Sequence, residues 1–103
     1  MGKYKVIKPH FRIHKINGHP SYIYAENTTE YKYIGITHSK STHGLNNKKL
    51  RYNPNSKDSR TSYMRPFSTH DKKNKFKKKK LKGYKIHKAD KKLIQRIKRN
   101  YRV

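Results

Sequence analysis

Residues 20–38 read PSYIYAENTTEYKYIGITH, and this stretch decides the fold of the 103-residue chain. Two runs rich in tyrosine and isoleucine, residues 21–25 and 31–37, flank a short polar connection at residues 26–30. Aromatic and β-branched residues favour strands, and a short polar connection favours a tight reversal of the chain. The pattern therefore predicts an antiparallel β-hairpin, entered through the turn signature Asn17-Gly18-His19-Pro20.

Outside the hairpin, four segments are predicted to be extended: residues 3–16, 48–52, 61–67 and 81–86. In the first of them the residues that could face a core are Val6, Ile7, Phe11, Ile13 and Ile16. The polar residues 39–47 predict a loop. These elements predict a single domain, residues 1–103, of the mainly β class.

A helix is predicted at the carboxyl end, over residues 88–102. Its apolar residues recur at spacings of three and four: Leu93, Ile94, Ile97 and Tyr101. Asp90 falls in the first turn, where a carboxylate is favoured by the helix dipole. The predicted fold class is therefore α+β, a small sheet or barrel with one C-terminal helix.

Charge indicates the partner. Lys and Arg number 29 and Asp and Glu number 5, which makes the formal net charge +24 at pH 7. Such an excess repels itself in a compact chain, so a polyanion is expected, with RNA favoured over DNA. Anionic membranes attract the same charge, but no apolar run approaches the roughly 20 residues of a spanning helix, and no membrane partner is expected.

The remaining composition narrows the chemistry and the compartment. The chain has no cysteine, which excludes disulfides, thiolate zinc sites and cysteine nucleophiles. The amino-terminal residues lack the apolar core of about 7–15 residues that a signal peptide needs, so a cytoplasmic protein is expected.

The densest run of charge, residues 71–80, is predicted to be a basic mobile loop, because like charges repel until a polyanion arrives. The candidate nucleic-acid-binding residues are Arg51, Arg60, Lys72, Lys73, Lys75, Lys77, Lys78, Lys79, Lys80 and Lys82. Six tyrosines could stack on unpaired bases, although about half of them must instead serve as core: Tyr22, Tyr24, Tyr31, Tyr33, Tyr52 and Tyr63.

The order of short motifs resembles that of the PemK/MazF-like toxins. These motifs are the turn ending in His19-Pro20, the strands SYIYA and YKYIGIT with Thr37-His38-Ser39, Ser62-Tyr63-Met64, and LKGYKIHKADKKLIQRI at residues 81–97. The resemblance implies a small SH3-like barrel that binds and cleaves RNA, a possible dimer, and a possible acidic, antitoxin-like protein partner. It also implies site positions at His19, which stands where the family has arginine, and at Thr37.

Metal-free RNA cleavage needs a base, an acid and cations around the phosphorane. Histidine suits the first two functions and arginine the third. The candidate catalytic residues are therefore His19, Thr37, His38 and Arg65, with Arg60 as an alternative to Arg65. No cofactor and no metal are expected, and the His10-x-x-x-His14 spacing predicts two rings on one face of an extended segment rather than a metal pair.

Two alternatives stay open. One is a non-catalytic factor of a ribosome or mobile element that binds nucleic acid or a ribonucleoprotein. The other is a nuclease of the GIY-YIG type, which Tyr22-Ile23-Tyr24 and Tyr33-Ile34-Gly35 resemble. That family also has a metal-binding glutamate downstream, whereas both glutamates of this chain precede Tyr33.

Overall fold

The predicted hairpin is present in the computed structural model, which describes residues 3–102. Strand β2 spans Pro20–Glu26 and strand β3 spans Glu30–Thr37. The two strands are antiparallel, with Tyr22 opposite Ile34. This prediction is confirmed, and the hairpin forms the centre of the sheet.

The turn of the hairpin is organised by Asn27. Its side-chain oxygen accepts hydrogen bonds from the N–H groups of Thr29 and Glu30, at 3.0 and 2.7 Å. The Asn27 N–H itself donates to the Glu30 carbonyl oxygen at 3.0 Å. Because the Asn27 side chain accepts hydrogen bonds from the backbone N–H groups of the turn, this polar connection can reverse the chain.

Strand β1 spans Lys5–Ile13 and pairs antiparallel with β2, which confirms the predicted extended segment. The register shifts around Pro9, because proline has no N–H to donate to the ladder. Phe11 is buried in the core. The core assignment is wrong for Val6, which is 83% exposed, and for Ile16, which is also exposed.

Five short strands follow β3: β4 (Ser41–Thr42), β5 (Leu45–Asn46), β6 (Lys48–Lys49), β7 (Tyr63–Met64) and β8 (Thr69–Lys72). β8 pairs with the beginning of β3 and β7 with its end, so the main sheet has the order β1-β2-β3-β7-β6, with β8 also on β3. β4 and β5 form a separate hairpin inside the predicted loop. Within residues 3–102, the ladder of the main sheet does not close into a barrel. No strand forms over residues 81–86, where the structure has only a single bridge, Tyr84 to Asn55.

The C-terminal helix α1 spans Lys91–Lys98 and follows a 3-10 turn at Lys88–Asp90. It buries Ile94 and Ile97 in the core, as the spacing predicted. Tyr101 does not continue this face, because the chain leaves the helix and bridges to Ser68 instead; Tyr101 is 39% exposed. The helix is therefore present but shorter than predicted.

The core lies between the hairpin, β1 and α1. Its cluster consists of Phe11, Tyr22, Tyr24, Ala25, Ile34, Ile36, Leu50, Met64, Ile94 and Ile97. Tyrosines thus supply part of the core that the few aliphatic residues cannot fill, as expected. Among the described residues, no helix has both the length and the apolar character that crossing a bilayer requires.

Residues 72–82, hereafter the basic segment, run along the outer edge of β1. Two backbone hydrogen bonds join the segment to β1, from the Lys77 N–H to the Ile13 oxygen at 2.9 Å and from the Leu81 N–H to the Phe11 oxygen at 2.8 Å. A third, from the Lys15 N–H to the Lys75 oxygen at 2.8 Å, joins it to the turn after β1. Phe76 is the buried residue of the segment, 2% exposed. Part of the predicted loop 71–80 is thus in β8 and a 3-10 turn, Lys73–Lys75; its mobility stays a prediction.

Candidate active site and nucleic-acid interface

A cleft of about 320 Å³ lies at the carboxyl end of β3, beside Thr37. We call it the Thr37 cleft. Its lining residues are Asn17, His19, Tyr33, Gly35, Ile36, Thr37, Thr42, His43, Arg65, Phe67 and Thr69. Three elements far apart in sequence thus bring His19, Thr37 and Arg65 to one cavity, and these are three of the four predicted catalytic residues.

Arg65 is held in place on the wall of the cleft. Its NH1 group donates to the Asn47 side-chain oxygen at 2.6 Å and contacts the Thr42 carbonyl oxygen at 3.4 Å. The guanidinium carbon lies 5.0 Å from the centre of the Phe67 ring. Burial and the nearby Arg102 lower the pKa of Arg65, because both disfavour a further positive charge. Arginine has five N–H donors, so the contacts of NH1 leave others for an anion.

Gly35 permits Arg65 to lie against β3. The Gly35 carbonyl oxygen accepts a hydrogen bond from the Arg65 N–H at 2.9 Å. A Cβ atom on Gly35 would lie 3.1 Å from the Arg65 Cγ atom, tighter than ordinary van der Waals contact. The glycine of the strand YKYIGIT is therefore explained by the close approach of the arginine side chain.

Thr37 ends β3 and is buried. Its hydroxyl oxygen accepts a hydrogen bond from the Ser39 N–H at 3.1 Å, which leaves the hydroxyl proton to be donated elsewhere. This contact fixes the oxygen at the strand end. A hydroxyl with a fixed oxygen and a rotatable proton suits a donor to a phosphate oxygen.

His19 lies in the turn between β1 and β2, as the Asn17-Gly18-His19-Pro20 signature predicted. Its carbonyl oxygen accepts from the His14 N–H at 3.0 Å, and its N–H donates to the Asn17 side-chain oxygen at 2.8 Å. Gly18 has a φ of 71°, in the left-handed region that favours glycine. Within residues 3–102 the exposed His19 ring makes no hydrogen bond. The backbone is thus fixed while the ring nitrogens remain open to a ligand.

His43 is a second histidine of the cleft, and sequence reasoning did not select it. It lies in the turn between β4 and β5 with a φ of 50°, and its side chain is exposed. The only local signal is the dipeptide His43-Gly44 in a polar stretch, which indicates a turn. The fold of this small hairpin against Arg65 and Asn47 is what brings His43 to the cleft.

His38 lies outside the cleft, on an adjoining cavity of only about 30 Å³ that shares His19 and Thr37 with it. Its Nδ1 atom is 3.0 Å from the Thr61 carbonyl oxygen and its Nε2 atom is 3.4 Å from a carboxylate oxygen of Asp58. Both ring nitrogens therefore face acceptor oxygens of neighbouring residues. His38 is thus tied to the loop around residues 58–61, unlike His19.

Asp58 is itself paired with Arg60, whose Nε and NH2 atoms donate to the two carboxylate oxygens at 3.0 and 2.8 Å. These side-chain hydrogen bonds from Arg60 are the main reason why the pKa of Asp58 lies well below its usual range. The structure therefore places Arg60, a predicted nucleic-acid-binding residue, in an exposed ion pair and away from the Thr37 cleft.

The other predicted nucleic-acid-binding residues are almost all exposed. Lys73 is the half-buried exception: its Nζ atom lies 3.3 Å from a Glu26 carboxylate oxygen and 5.2 Å from the centre of the Tyr31 ring. A second basic cleft, of about 400 Å³, includes Lys73, Tyr31 and Phe76 in its lining. Arg12 closes one side of it by donating to the carbonyl oxygens of Lys77 and Lys78, the former at 3.1 Å.

The His10 and His14 rings have different environments. Arg12 donates from Nε to the His10 Nε2 atom at 3.0 Å. His14 is buried against Phe76, and its Nε2 atom lies 2.8 Å from a carboxylate oxygen of Asp71. Residues 3–102 contain no group of three or more His, Cys, Asp or Glu residues arranged to hold a metal ion.

The described residues thus contain two distinct features. One is a cleft lined by two exposed histidines, His19 and His43, and by the hydrogen-bonded Arg65, and the other is a large exposed basic surface. Comparison of the chain with models of known protein families, with characterised proteins and with solved structures finds no match.

Proposed function

We propose that the protein binds RNA through its basic surface and cleaves it without a metal ion in the Thr37 cleft. The observation that carries the proposal is that His19, His43 and Arg65 line one cavity together with Thr37. Two histidines and an arginine are the groups that metal-free cleavage requires. Among the described residues, the small cavity beside His38 has His19 and Thr37 in its lining but no arginine, and the His38 nitrogens face Asp58 and Thr61.

The reaction proposed is an in-line transesterification. One histidine of the pair His19 and His43 accepts the proton of a ribose 2′-hydroxyl, and the 2′-oxygen forms a bond to the adjacent phosphorus. The bond from phosphorus to the 5′-oxygen breaks, and the other histidine donates a proton to that leaving oxygen. The products are a 2′,3′-cyclic phosphate and a 5′-hydroxyl, so RNA and not DNA is the substrate.

Arg65 and Thr37 would stabilise the charge that develops on the phosphorane oxygens. The guanidinium is fixed by Asn47 and Thr42 before substrate arrives, so little reorganisation accompanies the reaction. Fixed donors of this kind typically contribute on the order of 10²–10³ in rate. The Thr37 hydroxyl adds a neutral donor beside them.

Binding is proposed to depend chiefly on the basic segment. It carries eight lysines and no carboxylate, and its backbone bonds to β1 hold those lysines along one side of the molecule. Phosphate contacts of this kind bind without reading sequence, and release of counterions makes them strongly dependent on salt. An acidic protein partner would bind the same surface by the same charge.

For the fold, we propose an open relative of the SH3-like barrel of the PemK/MazF type. Support comes from the basic segment, which leaves β8 on one side of the sheet and reaches the outer edge of β1 on the other. The dimer that this resemblance implies remains part of the proposal.

The second candidate is a non-catalytic binder of RNA or ribonucleoprotein. It is favoured by His19, which stands where the PemK/MazF-like family has arginine, and by the extent of the basic surface. The GIY-YIG alternative depends on Tyr22-Ile23-Tyr24 and Tyr33-Ile34-Gly35, which lie on paired strands; magnesium-dependent nicking of DNA would support it.

The test is cleavage of a mixed-sequence RNA by the purified protein with a chelator present. We expect cyclic-phosphate products, and we expect His19→Gln to lower the rate by about 10²–10⁴-fold, the usual contribution of general acid–base catalysis, with unchanged affinity. His10→Gln is the matched control, because His10 is outside the Thr37 cleft. Intact RNA under tight, salt-sensitive binding would contradict cleavage and leave the binder.

His19→Arg distinguishes two schemes of catalysis. In the scheme proposed here, the substitution removes a group that transfers protons near neutral pH, and the rate falls as it does for His19→Gln. A rate that rises instead would show that position 19 serves as a cation, as the family resemblance implies, and would contradict proton transfer by His19.

A further inference from the structure

A cavity of about 810 Å³, larger than the Thr37 cleft, lies between residues 52–58 and residues 83–91. We call it the Tyr52 groove. Its volume is in the range of about 300–1,000 Å³ that is usual for small-ligand sites. None of the residues that line it also lines the Thr37 cleft, so it requires an explanation of its own.

An exposed aromatic platform forms one wall of the Tyr52 groove. The rings of Tyr52 and His87 lie 3.9 Å apart between centres, with their planes inclined by 32°. His87 is oriented by its Nδ1 atom, which accepts a hydrogen bond from the Ala89 N–H at 3.0 Å. His87 covers part of the Tyr52 ring, yet Tyr52 remains 50% exposed. Exposed, oriented aromatic rings are the surfaces on which unpaired bases stack.

The backbone around this platform is held by a buried carboxylate. Asp90, almost fully buried, accepts hydrogen bonds from the N–H groups of Arg51 and Tyr52, at 2.8 and 3.2 Å. The Lys85 N–H also donates to the Pro54 carbonyl oxygen at 2.9 Å, which joins the two stretches that line the groove. The walls are therefore fixed before a ligand arrives, which reduces the entropy lost on binding.

The charge of the groove complements a phosphate backbone. Lys85, Lys88 and Lys91 line it and are exposed. Asp58 is the carboxylate in the lining, and its charge is compensated by the ion pair with Arg60. The aromatic platform suits the base of a nucleotide, and the three lysine ammonium groups suit its phosphate.

We propose that the Tyr52 groove binds an unpaired nucleotide of single-stranded RNA, its base on Tyr52 and its phosphates against Lys85, Lys88 and Lys91. This inference rests on the proposed function, because it takes RNA as the partner. The small cavity beside His38 shares His19 and Thr37 with the Thr37 cleft and Asn53 and Asp58 with the groove. The groove is thus the subsite for a nucleotide that flanks the cleaved bond.

The test uses a short single-stranded RNA with 2′-O-methyl riboses, which cannot be cleaved by attack of a 2′-hydroxyl, and one 2-aminopurine base as a stacking probe. We expect wild type to quench the probe on binding. Tyr52→Ala should raise Kd by about 10-fold, as loss of one stacked base typically does, and should abolish the quenching. Tyr52→Phe keeps the ring and should change Kd by less than about 2-fold.

Two neighbouring lysines supply a matched control for charge. Lys91 lines the groove, whereas Lys92 is exposed on α1 outside it. Lys91→Gln should reduce the slope of log Kd against log salt by about 0.7, the contribution of one phosphate contact on a single strand. Lys92→Gln should leave the slope nearly unchanged. If Tyr52→Ala does not fold, judged by its circular dichroism, this pair decides the inference.

The outcomes separate the inference from the proposed function. Unchanged affinity and quenching in Tyr52→Ala, in a protein that still cleaves ordinary RNA, would overturn the groove and leave the cleavage proposal standing. Equal salt slopes for the two lysine variants would also overturn the groove. A wild-type protein that neither binds nor cleaves RNA would overturn both.

Discussion

The β2–β3 hairpin and the basic segment lie on opposite edges of β1 and are built in opposite ways. Residues 20–37 carry two glutamates and one lysine, whereas residues 72–82 carry eight lysines and no carboxylate. The hairpin buries Ile23, Ile34 and Ile36, but the basic segment buries only Phe76. Both nevertheless form backbone hydrogen bonds with β1.

This difference shows how a chain with so much positive charge stays folded. Every residue except proline has a backbone N–H, and every residue has a backbone carbonyl oxygen, so a lysine-rich stretch can also form backbone hydrogen bonds at the edge of a sheet. It stays there only if a buried side chain holds it in place. Phe76 does so: its ring centre lies 4.9 Å from that of His14, 5.0 Å from Tyr33 and 5.4 Å from Tyr31. The hairpin thus stabilises the fold, and one phenylalanine attaches the charged surface to it.

The largest effect is expected from the hairpin. Ile34 is fully buried, and Ile34→Ala removes its side chain from the centre of the core. We expect the free energy of unfolding to fall by about 4 kcal/mol, as large-to-small core substitutions cost. Urea denaturation followed by circular dichroism measures it. A decrease in the free energy of unfolding of less than about 1 kcal/mol would show that the packing of the hairpin contributes little to the stability of the core.

Phe76→Ala tests the attachment of the basic segment. We expect the free energy of unfolding to fall by about 3 kcal/mol, less than for Ile34→Ala, because the edge of the sheet can relax around the missing ring. Hydrogen exchange should quicken most at the Lys77 and Leu81 amides, which bond to β1. The half-buried Phe67 is the control, and Phe67→Ala should leave those two amides protected. Equal exchange in both variants would contradict a local attachment.

The exposed lysines of the basic segment should affect binding and not stability. Replacing Lys78, Lys79 and Lys80 together by glutamine should lower the salt slope of single-stranded RNA binding by about 2, since each phosphate contact contributes about 0.7. The matched control replaces Lys3, Lys5 and Lys8 by glutamine, an equal change in net charge at another exposed surface. Equal slopes would mean that only total charge matters and would remove the distinction between the surfaces.

The smallest effect concerns alkaline pH. Burial, with the neighbouring Tyr24, raises the pKa of Tyr22 above its usual 10.0. The unfolded chain therefore releases this proton first, and stability present below about pH 10 is lost as the pH rises above it. Tyr22→Phe should flatten the decline of the free energy of unfolding between pH 9 and 11, measured by urea denaturation at each pH, by less than about 1 kcal/mol. Parallel curves for the two proteins would contradict this.

Local pattern was sufficient where one residue type or spacing decides a conformation. It predicted the hairpin from alternating tyrosine and isoleucine, the turn at Gly18, and the helix from Ile94 and Ile97. It failed for β8 and for residues 81–86, because Thr69–Lys72 has no strand signal of its own and pairs only where β3 offers an edge. Val6 was placed wrongly because adjacent residues of a strand point to opposite faces, so Val6 and Ile7 cannot both face the core, and Val6 is the exposed one.

The candidate site was predicted in part. His19, Thr37 and Arg65 were selected by chemical type and lie on one cleft. His38 was selected by its position next to Thr37, but it follows the last residue of β3, and its ring nitrogens face Asp58 and Thr61 instead of the Thr37 cleft. His43 was missed because nothing in its own stretch shows that a small hairpin carries it to Arg65.

The sequence by itself determined the charge, the mainly β class with one helix, and the hairpin, because composition and short-range periodicity act within a few residues. Only the tertiary structure decided which histidines share a cavity, that Phe76 ties the lysines to β1, and that Tyr52 lies on His87. Those pairings join residues that are distant along the chain. Their closeness follows from strand register and core packing, which no local stretch encodes alone.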